Sequence, residues 1–131
     1  MLILTFDYSN SYYPAAPVAE ITIQDADRHE QVVNLIALVD SGADASMIPV
    51  NILEKIGATY VTTKGMRGIT GPAHPVDIFL VTIQVGDVTV PMVEAIALQH
   101  GTEAIIGRDV LNYLVVTLNG LAGMVEIVQE T

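Results

Sequence analysis

Cysteine is absent from the 131-residue chain, so a disulfide framework, a thiolate zinc site and a cysteine nucleophile are all excluded. A reducing compartment is permitted. Basic residues are scarce: five Lys and Arg stand against fifteen Asp and Glu, for a formal net charge of -10. Arg28, Lys55, Lys64, Arg67 and Arg108 are scattered, whereas phosphate binding needs clustered cations, so nucleic acid is not the expected partner. An anionic membrane surface is disfavoured for the same reason. No apolar run is long enough to span a bilayer, and Met1-Leu2-Ile3-Leu4-Thr5-Phe6-Asp7 lacks the basic flank of a secretory signal. A soluble cytoplasmic protein is expected. Charged residues make up only 15% and hydrophobic residues 51%, which argues against both disorder and a coiled coil. Repeats, linkers and low-complexity stretches are missing too. The length fits one domain spanning residues 1–131, burying about two thirds of its unfolded surface.

Most of the hydrophobic pattern has a period of two. Leu2, Leu4, Phe6 and Tyr8 alternate with Ile3, Thr5 and Asp7 as a first strand, and a loop rich in serine and proline closes the N-terminal segment 1–17. Val18 to Gln24 reads as a second strand, and Asp25-Ala26-Asp27-Arg28-His29 as a polar turn. Val32 to Val39 is almost wholly apolar, which predicts a strand buried on both faces. One helix is credible: Pro49 suits a first helical position, Ile52, Leu53 and Ile56 form a short stripe, and Gly57 suits the position after the last turn. A strand over 58–63 precedes the glycine-spaced segment Gly65-Met66-Arg67-Gly68-Ile69-Thr70-Gly71-Pro72. Val76 to Val85 and Val88 to Leu98 read as a hairpin turning at Gly86-Asp87, with Pro91 marking an edge or a bulge. Val115 to Leu118 turns at Asn119-Gly120 into Met124 to Val128. Eight or nine short strands, one or two short helices and no α/β alternation predict a mostly-β barrel or sandwich.

The least ordinary feature is a carboxylate closing an apolar strand: Leu35-Ile36-Ala37-Leu38-Val39 runs into Asp40-Ser41-Gly42-Ala43-Asp44. Such a group costs free energy unless it is paired, hydrogen-bonded or protonated. Alone, Asp-Ser-Gly is an ordinary turn tripeptide. Here it has company. Leu38-Val39-Asp40-Ser41-Gly42-Ala43-Asp44 resembles the active-site segment of retropepsin-like aspartic proteases, and Ala104-Ile105-Ile106-Gly107-Arg108-Asp109-Val110-Leu111 resembles that family's second signature. Met66-Arg67-Gly68-Ile69-Thr70-Gly71 looks like its glycine-rich flap, and Val116-Thr117-Leu118-Asn119 like its closing strand. Four segments in the right order are far more specific than one tripeptide.

The resemblance implies an all-β, barrel-like acid-protease fold and an aspartic endopeptidase acting on polypeptide substrates without a cofactor. Its chemistry needs two carboxylates around one water, sharing one proton. At about 3 Å and an effective dielectric near 20, two like charges repel by about 5 kcal/mol, or roughly four pKa units between the two ionisations. One carboxylate stays ionised to draw a proton from water, while its protonated twin donates to the scissile carbonyl. No second aspartate in the chain is followed by Ser-Gly or Thr-Gly, so the economical solution is a twofold homodimer pairing Asp40 with its copy.

The resemblance further implies that Ser41 bonds across the dyad and that Gly42, Ala43 and Asp44 line an extended substrate. Gly68, Ile69, Thr70 and Gly71 would cover it as a flap. Arg108 is expected to be buried and paired with Asp44, so that its loss costs dimer stability as well as activity. His29, His74 and His100 lack zinc spacing, and no metal site is expected. Two departures stand out: Ser41 replaces the usual Thr, and the chain continues past Asn119 into a C-terminal hairpin extension, residues 120–131. The latter implies a dimer interface built differently, and the helix after Pro49 with the long N-terminal loop suggests a free-standing cellular enzyme. The alternative is a catalytically silent module of the same fold that dimerises or binds peptide.

Overall fold

The computed structural model describes residues 2–67 and 71–129. Among them lie ten strands and two short helices: β1 (Leu2–Asp7), β2 (Val18–Asp25), β3 (Val32–Val39), β4 (Met47–Pro49), α1 (Val50–Lys55), β5 (Thr59–Met66), β6 (His74–Val85), β7 (Val88–Leu98), β8 (Ala104–Ile106), α2 (Arg108–Leu111), β9 (Val116–Asn119) and β10 (Met124–Gln129). Seven strands hydrogen-bond in the order β2-β3-β8-β4-β7-β6-β5, and a further β2–β6 pairing closes six of them into a barrel. The sequence reading missed β4 and β8, three residues each, because so short a run shows no periodicity.

Alternation decides what fills the barrel. Ile21 and Ile23 of β2, Ala37 of β3, Val81 and Ile83 of β6, and Ile106 of β8 are at most 1% exposed and pack in one cluster. The expectation that β3 is covered on both faces is corrected here. Val32 and Ile36 are 50% and 54% exposed, because only the inward row of a barrel strand meets the core. Its outward row stays free to face a ligand.

Local signals placed the turns. Gly57 follows α1 with φ 65 and donates to the Glu54 carbonyl at 3.1 Å, closing the helix as its position predicts. Pro49 sits one residue earlier than expected, at the N-cap, since it still belongs to β4. Pro91 and Met92 form a bulge in β7: the register passes from Val81↔Val93 to Ile83↔Val90, leaving two residues opposite one.

The terminal strands form a second sheet in the order β1-β10-β9. Asn119 caps the β9–β10 turn by accepting from the Ala122 N–H at 3.0 Å. β10 lies in the middle, pairing with β1 from Leu2↔Gln129 to Asp7↔Met124 and with β9 on its other side. Thus the hairpin read from Asn119-Gly120 is no loose appendage, and Val125 and Ile127 are fully buried in the core cluster.

Candidate active site

Asp40 extends the outward row of β3. Ala37 and Val39 point into the barrel, so Ile36, Leu38 and Asp40 point away from it. The ladder with β8 runs parallel through Val39↔Ile106, and the Asp40 N–H donates to the Ile106 carbonyl at 3.1 Å. Beyond it the chain turns sharply. The Gly42 N–H donates to Asp40 Oδ1 at 2.9 Å, and the Ala43 N–H to the Asp40 carbonyl at 3.2 Å. Among the described residues no donor reaches Asp40 Oδ2, and the residue is half-buried. A carboxylate held by one oxygen keeps the other for a ligand.

The segment after β8 braces this loop. A Cβ on Gly107 would lie 2.7 Å from the Ala43 carbonyl oxygen, a close approach only glycine allows. The Arg108 N–H donates to that oxygen at 2.9 Å, Arg108 Nη1 donates to the Ser41 carbonyl at 2.7 Å, and Nη2 pairs with Asp44 Oδ1. The expected burial of this pair is corrected. The side chains of Arg108 and Asp44 are 44% and 90% exposed, because α2 begins at Arg108 and lifts its side chain off the buried strand. The buried tie is one the sequence reading missed. Asp109 accepts from the Ser46 N–H at 2.9 Å and from its Oγ at 2.7 Å, while the Gly107 N–H donates to that Oγ at 3.1 Å. Ser46 is fully buried. Asp109 stood inside the second signature, but nothing in its spacing named Ser46 as its partner.

Comparison with known proteins supplies the family. A family model described as aspartyl protease matches residues 19–110, which holds both the Asp40 loop and the Gly107–Asp109 segment. The chain belongs to the aspartyl protease family. Its fold is retropepsin-like. A retropepsin-like aspartic protease from Rickettsia conorii superposes with a TM-score of 0.67 at 10% identity, over 95% of this chain and 89% of that one. The protease of EIAV, complexed with an inhibitor, superposes with a TM-score of 0.50 at 23% identity, over 75% of this chain and 86% of that one. No curated protein matches the chain significantly.

In this member of the family β5 and β6 form a hairpin whose ladder runs to Met66↔His74, and Gly71 in its tip has φ 95. Gly68, Ile69 and Thr70, expected to cover the substrate, lie outside the described residues. An apolar groove of about 380 Å³ runs between the tip end of this hairpin, at Met66 and Val76, and Ile96–Leu98 of β7. A groove of about 580 Å³ does not touch Asp40; it flanks the Arg108–Asp44 pair and is walled by the Pro91–Met92 bulge and Tyr113. Among the described residues no helix is long and apolar enough to cross a membrane.

A second strand-end carboxylate is built quite differently. Asp25 closes β2 with 0% exposure. Its Oδ2 accepts from the N–H groups of Asp27 at 3.1 Å and Arg28 at 2.9 Å, and its Oδ1 from the N–H and Oγ1 of Thr59 at 2.8 and 2.9 Å. Burial pushes its pKa up, but the bonds from Arg28, Thr59 and Asp27 outweigh it and hold the group below the usual aspartate range. The sequence reading placed Asp25 in a polar turn and did not foresee the link to Thr59.

Proposed function

We propose that this protein is a cytoplasmic aspartic endopeptidase whose active site forms when two copies meet on a twofold axis, Asp40 against Asp40. One observation carries the reading: Asp40 is an outward-facing strand-end carboxylate with an unclaimed oxygen, while its acidic neighbours are engaged elsewhere, Asp44 by Arg108 and Asp109 by Ser46. A single chain thus offers one carboxylate where the chemistry needs two. The pair shares a proton: the ionised member takes a proton from the water that attacks the scissile carbon, and the protonated member hydrogen-bonds the carbonyl oxygen.

The braces on the loop fit that task. Arg108 donates to the Ser41 and Ala43 carbonyls, which supports a fixed geometry for the Asp40 carboxylate facing its copy, and in this reading Ser41 bonds across the axis. Both main-chain groups of Ala43 are used within the protein, which leaves the β-type pairing with an extended peptide to Gly42 and Asp44. The β5–β6 hairpin closes over the substrate through Gly68–Gly71 and excludes water.

The test is a peptidase assay from about pH 4 to 7 on wild type and Asp40→Asn, with the oligomeric state measured alongside. The reading expects a dimer whose cleavage falls to background in the variant. Equal rates would replace it with a silent module of the same fold.

A further inference from the structure

The outward face of β3 carries a second feature two residues before Asp40. A pocket of about 260 Å³ has Val18, Ile36 and Leu38 as an apolar wall and Tyr12, Thr102 and Glu103 at its rim. Leu38 shares the outward row with Asp40, so the near wall begins about 7 Å from Asp40 along the strand. Glu103 precedes β8, whose Ala104 pairs with Ala37; it therefore lies level with Ile36, about 13 Å from Asp40. Ala104 and Ile106 point into the core, so Glu103, by alternation, shares the outward face.

Glu103 has no cation of its own. Among the described residues the ion pairs join Arg28 to Asp25, Lys64 to Glu94 and Arg108 to Asp44, and none reaches Glu103. Its neighbour is neutral: the Tyr12 phenol is pushed above its ordinary pKa, first by partial burial and then by the Glu103 carboxylate beside it. One phenol leaves most of a carboxylate's acceptor sites open. The fit is to a side chain with a long apolar stem and a positive tip.

We infer that this pocket is a substrate subsite beside Asp40 that takes a Lys or Arg side chain, its stem on Ile36 and Leu38 and its charge on Glu103. The assignment rests on the Asp40 dyad proposed above. In the twofold dimer each copy supplies one such pocket, so a basic residue is favoured on either side of the scissile bond. The net charge of -10 steers cationic peptides toward the protein.

The experiment compares kcat/KM for peptides identical except for Lys, norleucine or Glu next to the scissile bond, using wild type, Glu103→Gln and Glu103→Lys. Binding of the same peptides to Asp40→Asn is followed by fluorescence anisotropy. Wild type is expected to favour Lys over norleucine by about fivefold, as a part-exposed ion pair allows, and over Glu by more. Glu103→Gln should erase the first preference, and Glu103→Lys should invert the ranking of Lys and Glu. Cleavage with no basic preference, or a ranking unmoved by Glu103→Lys, overturns the subsite and leaves the dyad standing. If nothing is cleaved and Asp40→Asn binds all three peptides alike, dyad and subsite fall together.

Discussion

Asp25 and Asp40 each end one of two neighbouring barrel strands, Asp25 on the inward row of the alternating β2 and Asp40 on the outward row of the apolar β3. Their surroundings make them opposites. Asp25 is fully buried and accepts four hydrogen bonds, two from the turn that follows it and two from Thr59. Asp40 is half-buried and its side chain accepts one, from Gly42. A saturated carboxylate has no lone pair left for chemistry and serves to pin β2 to the start of β5. An unsaturated one is costly to the isolated chain and useful to a substrate. The difference lies in the face each strand gives its last residue and in the donors the fold delivers there.

The sharpest break of that comparison is to neutralise each acid in turn. Asp40→Asn should remove peptidase activity down to background while urea unfolding moves little, since a neutral amide oxygen still accepts from Gly42. Asp25→Asn should leave Asp40 intact and cost about 2–4 kcal/mol of stability, because it takes a charge out of a buried, fully bonded site. Chemical denaturation measures the second effect, and a swap of the two outcomes would invert the assignment of roles.

The depressed pKa of Asp25 sharpens the contrast with pH. Its folded value lies below its unfolded value, so the stability it contributes is fully present above the unfolded aspartate pKa near about 3.9. It is lost as pH falls through the folded value. Wild type should therefore lose stability below about pH 4, and Asp25→Asn should lose less over the same window, as read from urea midpoints at each pH.

Smaller effects separate the two braces on the Asp40 loop. Ser46→Ala should cost about 1–3 kcal/mol, since it leaves Asp109 and the Gly107 N–H short of a partner in a buried site. Arg108→Ala should cost at most about 1 kcal/mol of chain stability, because its partner is solvent-exposed and screened. Its larger consequence should be a drop in kcat, as Ser41 and Ala43 lose their support. A stability loss from Arg108→Ala greater than that from Ser46→Ala would restore the buried pair that the sequence suggested.

Much of this was legible before the fold was seen. Strong alternation in 18–25 and 88–98, the Gly86-Asp87 turn and the Pro91 bulge place the barrel strands, because each signal is local. The Asp40 loop and the Gly107-Arg108-Asp109 segment declared themselves as motifs. What stayed hidden depends on residues far apart in sequence. Thr59 on Asp25, Ser46 on Asp109 and Glu103 beside Leu38 meet only through strand pairing, which composition and periodicity do not encode. The exposed row of β3 was misread for a related reason: a continuous apolar run does not say whether a second layer covers it. Here Ile36 and Leu38 are apolar on the outward face, where the proposed substrate passes.

Mixing chains tests the central claim most directly. Wild type is equilibrated with increasing amounts of Asp40→Asn, and cleavage is followed at a fixed amount of wild type. A site built from two Asp40 carboxylates predicts that activity falls toward zero as wild-type chains are drawn into pairs with the variant. Activity that stays proportional to wild type, whatever the excess of variant, would show that one chain suffices and would contradict the dyad.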